Sequence, residues 1–294
     1  MSPDEPKAGV FVVGAGLMGS GIAAQCALAG HPVVLEDISE AFVEAGWARI
    51  RRALEHAVDR KEVEPARRDE ALGRIDRAVG LDRARTADIV IEAAPEDLAL
   101  KRKLFRELEQ VAPAGAILAS NTSSLPIGSI GADLREPDRL VGLHFFNPVL
   151  QMPLVELIAS PRTREEVVAR ADRFASALGK TVVRSTDSPG FVTSRALAVL
   201  VNEAARMLEG GVAGRDDIDA AYRLGFHHPM GPFELVDLVG IDTTVAILDV
   251  LYEGFRDERY RACPILRSMV RDGKLGRKSG EGFYPYPARA GKRA

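Results

Sequence analysis

The sequence predicts a doubly wound α/β domain with a mostly parallel sheet and a helical hairpin excursion, followed by an all-α C-terminal domain. Three observations predict it. Short apolar or β-branched runs alternate with helix-length stretches over residues 1–186, the pattern of strand–helix–strand units. A glycine-rich turn, Gly14-Ala15-Gly16-Leu17-Met18-Gly19, closes the first run. From residue 187 the strand runs stop and only helical periodicity continues. The expected domains are therefore 1–186 and 187–294.

Each element has a local reason. Val10–Val13 is the first strand, and Leu17–Ala29 is the apolar helix that follows the glycine turn. In that context the glycines form a Rossmann-like dinucleotide fingerprint. Gly14 permits the tight turn, Gly16 lets backbone approach a pyrophosphate, and Gly19 lets helix and strand pack closely. The helix N-terminus, at Leu17 and Met18, then faces the phosphates. Pro32–Leu35 is the second strand and ends in Glu36-Asp37. Asp37 stands 23 residues after Gly14, near the roughly 20 expected of the acid that binds the adenosine ribose. A carboxylate there repels a 2′-phosphate, which favours NAD over NADP.

Residues 39–73 break the alternation. Val43, Trp47, Ile50, Leu54 and Val58 make an apolar helical stripe, and Arg49, Arg52, His56 and Arg60 a basic one. A long helix turning near Pro65 into a second is expected to project from the sheet. Its basic stripe reads either as a solvated face or as a landing site for phosphates of a large anionic substrate. Strands follow at Ile75–Val79, Ile89–Glu92 and Ala116–Ala119, with a helix over Leu98–Val111. The polar turn Ser120–Ser124 then sits at the carboxyl end of a parallel strand, where open α/β sheets bind ligands.

The runs Leu140–Phe146 and Leu154–Ile158 each carry one group that an apolar environment does not tolerate unpaired, His144 and Glu156. If the runs are neighbouring strands, the two groups are natural partners. A carboxylate on one imidazole nitrogen sets the tautomer and leaves the other nitrogen as a proton acceptor. The same pair also reads as a satisfied core histidine beside an edge glutamate.

Thr181–Arg184 is the last strand, and Asp187-Ser188-Pro189-Gly190 is a linker. Helices are expected over Phe191–Leu208, Arg215–Leu224, Phe233–Leu251 and Pro264–Arg271, with a disordered tail after Pro287. Apolar faces wider than one small core needs make a dimer surface. His227 and His228 have no Cys, His or Asp spacing beside them that suits a metal.

Composition limits the remaining classes. A hydrophobic content of 46%, a charged content of 28% and a net charge of −3 describe a soluble globular protein, not a nucleic-acid or membrane-surface binder. Cys26 and Cys263 match no metal-ligand spacing and suit a reducing compartment. Residues 9–30 carry no charge, yet four glycines interrupt them and MSPDEPK lacks a basic lead. A cytoplasmic protein without a membrane segment is the expectation.

Taken in order, the strings GAGLMGSGIA, NTSS, HFFNPV, LVELI, DSPGF, PMGPFEL and KSGEGFY are no longer generic. Over Val10–Tyr286 the chain resembles the L-3-hydroxyacyl-CoA dehydrogenase family, in particular its short single-function members of 3-hydroxybutyryl-CoA type. The resemblance implies an NAD-dependent oxidation of an acyl-CoA substrate, with His144 as catalytic base and Glu156 as its partner. It implies Ser123 in contact with substrate and cofactor, and Asn147 in the active site. Glu96 and Lys101 correspond to positions near the nicotinamide end of NAD, and Lys278 to a lysine beside the cofactor. The helical excursion corresponds to the coenzyme A side, with Arg60 as the leading contact and Arg52 on the same stripe. The family's homodimer forms through the C-terminal helices.

Two departures bear on substrate. Ser194 stands in PGFVTSR where family members often carry a substrate-positioning asparagine, and Leu150-Gln151 replaces a proline followed by an apolar residue. Three other readings remain: a dehydrogenase of a free hydroxy acid, such as a sugar acid or carnitine; a non-catalytic NAD-binding protein; and another NAD enzyme of the wider hydroxyacid or imine-reducing class, against which HFFNPV argues.

Overall fold

Four strands of a single sheet begin with residues that cannot face water. In a computed structural model that describes residues 7–286, β1 (Val10–Val13), β4 (Ile89–Glu92), β5 (Ile117–Ser120) and β6 (Leu140–Phe145) are buried at every position. Strands covered on both faces lose the alternation of a half-exposed strand, which is why they read as continuous apolar runs. Two units divide the chain, one ending at Ser188 and the other beginning at Pro189.

The first unit is built on an eight-stranded sheet. Around those four strands lie β2 (Val33–Asp37), β3 (Ile75–Val79), β7 (Leu154–Ala159) and β8 (Thr181–Thr186), in the order β3-β2-β1-β4-β5-β6-β7-β8. All neighbours are parallel except β6 and β7, which run antiparallel. The order reverses between β1 and β4, and in such sheets the crevice for a ligand opens at the carboxyl ends there.

Helix α1 (Leu17–Leu28) buries Ile22, Ala23, Ala24, Cys26 and Ala27. Helix α2 (Glu40–Asp59) begins at Ser39, whose hydroxyl accepts from the Phe42 amide, and α3 (Pro65–Gly73) begins at a proline. Both helices of the expected hairpin are present, with the turn just before Pro65. Helix α2 packs along α1, β2 and β3, and Ile50, Leu54 and Ala71 belong to the core beneath the sheet. Gly46 allows the close approach: a Cβ there would lie 2.6 Å from that of Ala15. Helix α4 (Leu98–Val111) starts at Asp97, which caps the Leu100 amide at 2.7 Å. A single turn, α5 (Ile127–Ile130), follows the polar loop after β5. Helix α6 (Glu165–Ala177) has no counterpart in the sequence expectations, although Val167, Val168, Ala171, Phe174 and Ala175 carry a helical stripe.

The second unit is helical: α7 (Thr193–Glu209), α8 (Arg215–Gly225), α9 (Pro232–Val239), α10 (Ile241–Phe255) and α11 (Pro264–Arg271). The single helix expected over Phe233–Leu251 is two, because Gly240 has φ 111°, a conformation that ends a helix. Asp219 and Asp237 are buried within this unit. Asp219 accepts from the Phe233 and Glu234 amides and the Tyr284 hydroxyl, and Asp237 from the Phe283 and Tyr284 amides. They clamp the PMGPFEL and GEGFY segments in place. The tail beyond Pro287 lies outside the described residues.

Candidate active site

The glycine turn has the shape that its sequence requires. Gly14 has φ 96°, and a Cβ on it would lie 2.8 Å from the Ala93 carbonyl oxygen. A Cβ on Gly19 would lie 1.7 Å from the Gly14 carbonyl oxygen, so no other residue fits there. At Gly16 an added Cβ meets nothing within 4 Å: backbone faces open space. Helix α1 has no side-chain cap, which leaves its first amides for an anion. Leu17 is largely exposed beside that opening, whereas Met18 turns into the core. Asp37 is held at the turn by the Ala15 amide (2.8 Å) and the Ile38 amide (2.7 Å). Its neighbour Glu36 is buried with the Gly80 amide as its hydrogen-bond donor, and burial pushes its carboxyl up to about 7. An open backbone, free helix amides and an acid after β2 fit a dinucleotide.

His144 and Glu156 lie directly opposite each other in the β6–β7 register. Opposed residues of an antiparallel pair share a face, so the ladder itself brings the two side chains together. His144 Nδ1 is 2.8 Å from Glu156 Oε2; the histidine is 6% exposed and the glutamate fully buried. The Phe146 ring packs 4.4 Å from the imidazole. A carboxylate at Nδ1 places the ring proton there and the lone pair on Nε2.

Beside this pair stands the NTSS turn. The Asn121 side-chain oxygen accepts from the Phe145 amide at 2.8 Å, tying the turn to the strand that carries His144. Glu96 Oε1 accepts from the Thr122 hydroxyl (2.6 Å), the Ser123 amide (2.9 Å) and the Ser124 amide (3.2 Å). Lys101 is 1% exposed and directs its ammonium inward, 2.6 Å from Glu92 Oε1 and 3.5 Å from Glu96 Oε2. Glu92 Oε2 accepts from the Ser120 hydroxyl at 2.6 Å.

After β6, Asn147 and the loop to Gln151 form one wall of a depression of about 280 Å³. Arg49, His56 and Arg60 of the α2 region form the other wall. The basic stripe is therefore divided. Arg52 lies instead in the groove between α2 and α3, with Glu55 and Arg68. Arg60 is exposed and forms a two-pronged ion pair with Glu62 at 2.8 and 2.9 Å. Lys180 supports the loop from below, donating to the Val149 and Met152 carbonyls, and burial lowers its pKa.

Two candidate residues belong to the second unit. Ser194 is in the first turn of α7 and 6% exposed. Lys278 pairs with Asp242 at 2.6 Å. Sequence reasoning missed Glu92 and Lys180, and held Ser120 and Thr122 only as members of the polar Ser120–Ser124 turn. Glu92 was visible only as a polar residue that ends an apolar run. Among the described residues no cluster of His, Cys, Asp and Glu could hold a metal ion, and no helix is long and apolar enough to cross a membrane.

Comparison with known proteins bears on both units. Residues 9–188 match the family model for the 3-hydroxyacyl-CoA dehydrogenase NAD binding domain, and residues 190–286 the model for its C-terminal domain. The 3-hydroxybutyryl-CoA dehydrogenase of Mycobacterium tuberculosis (strain CDC 1551 / Oshkosh) is 47% identical over 279 residues, covering 94% of this chain and 98% of that one. The probable 3-hydroxybutyryl-CoA dehydrogenase of Bacillus subtilis (strain 168) is 43% identical over 277 residues, covering 94% and 96%. The crystal structure of (S)-3-hydroxybutyryl-CoA dehydrogenase from Ralstonia eutropha superposes with a TM-score of 0.92 at 41% identity, covering 96% of this chain and all of that one. With a glycine turn that fits a dinucleotide and family models matched over both the NAD binding and the C-terminal domain, the chain belongs to the 3-hydroxyacyl-CoA dehydrogenase family.

Proposed function

We propose that the chain interconverts a (3S)-3-hydroxyacyl-CoA of the 3-hydroxybutyryl-CoA kind and the corresponding 3-oxoacyl-CoA, with NAD as cofactor. The observation that carries this reading is the 2.8 Å contact between His144 Nδ1 and Glu156 Oε2 near the carboxyl end of β6. NAD, when bound, supplies the hydride acceptor. His144 removes the proton of the 3-hydroxyl through Nε2, and returns one in the reductive direction. Glu156 holds the ring and balances the imidazolium charge. General-base assistance of this kind contributes roughly 10²–10⁴-fold.

Ser123 and Asn147 orient the substrate oxygens and border the cofactor, so their contribution is positional and electrostatic. Gly14, Gly16, Leu17, Met18 and Gly19 receive the pyrophosphate and Asp37 the ribose, while Glu96, Lys101 and Lys278 serve the nicotinamide end. Arg60 meets the coenzyme A phosphates from the wall it shares with Arg49 and His56, whereas Arg52, in the groove between α2 and α3, does not line that wall. Ser194 takes the place of a substrate-positioning amide with a shorter hydroxyl. Two copies associate through the helical unit, whose Val212, Leu224 and Phe226 are 72%, 77% and 64% exposed. Two free cysteines accord with a cytoplasmic location.

The test is NADH consumption with acetoacetyl-CoA beside free acetoacetate and other free 3-oxo acids, with NADPH as the cofactor control. Turnover of the thioester with NADH, inhibited competitively by free CoA, supports the reading. Turnover of the free acids alone, without inhibition by CoA, replaces it with a free-hydroxy-acid dehydrogenase.

A further inference from the structure

One acid near the site has no role in the chemistry above. Glu92 is the last residue of β4, with Val13 of β1 and Ser120 of β5 in register on either side. It is fully buried, where a lone carboxylate is very costly. Its oxygens are taken by the Lys101 ammonium (2.6 Å), the Ala94 amide (2.7 Å) and the Ser120 hydroxyl (2.6 Å). Two arms lead from it to the same turn. One runs through Ser120, whose Oγ accepts from the Thr122 amide at 3.3 Å. The other runs through Lys101 to Glu96, which gathers the Thr122 hydroxyl and the Ser123 and Ser124 amides. Charges alternate along this second arm: acid, ammonium, acid, amide donors.

We propose that Glu92 is a positioning residue for Ser123, fixing the 120–124 turn through Ser120 on one side and the Lys101–Glu96 pair on the other. The inference rests on the dehydrogenase reading for the role of Ser123, but the bracing of the turn does not depend on it. Glu92 neutralises Lys101 from below, so Glu96 is free to hold the turn. Without that charge the buried ammonium is drawn to Glu96 Oε2 and pulls the carboxylate away from its amide donors. The Ser123 hydroxyl then loses its orientation while His144 and Glu156, on β6 and β7, keep theirs.

The test is a double-mutant cycle of Glu92→Gln with Ser123→Ala, read as kcat on acetoacetyl-CoA with NADH. Glu92→Gln lowers kcat about tenfold in the native background and less than about twofold once Ser123 is alanine, because the two act as one unit. A loss of equal size in both backgrounds overturns the proposal, since a general structural defect does not depend on Ser123. Hydrogen exchange provides a readout without turnover: the peptide over residues 120–126 exchanges at least about tenfold faster in Glu92→Gln, and that over 140–146 is unchanged. Unchanged exchange at 120–126, or equal acceleration of both peptides, overturns it as well. Should Glu92→Gln fail to fold, Ser120→Ala cuts one arm and leaves the ion pair; it is expected to lower kcat about threefold, again only with Ser123 present. A native enzyme inactive on acetoacetyl-CoA removes the dehydrogenase reading, and the exchange experiment then decides the bracing alone.

Discussion

Buried acids occur in both units, and they are satisfied in different ways. In the helical unit, Asp219 and Asp237 receive backbone amides, and a hydroxyl completes the set at Asp219. In the sheet unit, Glu156 faces an imidazole, and Glu92 an ammonium and a hydroxyl beside a single amide. A backbone amide does not gain or lose its proton at ordinary pH, so an acid held by amides is a clamp. An imidazole can change charge, so an acid held against one conditions a proton transfer. The partner, more than the burial, separates architecture from chemical equipment.

That contrast breaks first at His144. His144→Ala should lower kcat on acetoacetyl-CoA by about 10²–10⁴-fold, with NADH affinity changed far less; steady-state kinetics beside NADH fluorescence titration decides it. Turnover close to native would make the pair a satisfied core histidine. Next in size is Asp219→Ala, which strands two amides and a phenol in the helical unit. A loss of about 2–4 kcal/mol in urea unfolding is expected, from unpaired buried donors.

Glu36 sharpens the comparison, because it is buried with one backbone amide as its donor. Burial pushes its carboxyl up to about 7 in the folded chain. Between the ordinary carboxylate range and that value, the unfolded chain has released the proton and the folded chain keeps it. Stability from this group is therefore present at low pH and lost as pH rises toward neutrality. Glu36→Gln should flatten that fall in thermal midpoint between about pH 5 and 7. The smallest effect belongs to Arg60→Ala. Its charge is already matched by Glu62 in solvent, so KM for the CoA substrate should rise by no more than about threefold, with kcat unchanged.

Much of this was legible in residue order. The Ile89–Glu92 strand and the Leu98–Val111 and Pro264–Arg271 helices appear with the bounds their periodicity and caps imply. The glycine fingerprint was legible because Gly14 takes a positive φ and Gly19 packs on the Gly14 carbonyl, both demands set within a few residues. Other features were not. The break at Gly240 escaped because apolar periodicity continues through it, whereas the α6 stripe of Val167, Val168, Ala171, Phe174 and Ala175 was present in residue order. Glu92 and Lys101 lie nine residues apart on a strand and a helix, so their pairing has no local signature. The division of the basic stripe depends on α3 folding back beside α2, which places Arg52 in another groove.

Short-range chemistry, then, set the strands, the helices and the dinucleotide turn of this protein, since glycine conformation and apolar spacing act within a few residues. The meeting of His144 with Glu156 is of another order. It depends on an antiparallel register between two strands, and a slip of one residue would send one of the side chains to the opposite face. Register is chosen by the whole sheet, through what lies above, below and beside each strand, so only the folded chain could make that pair.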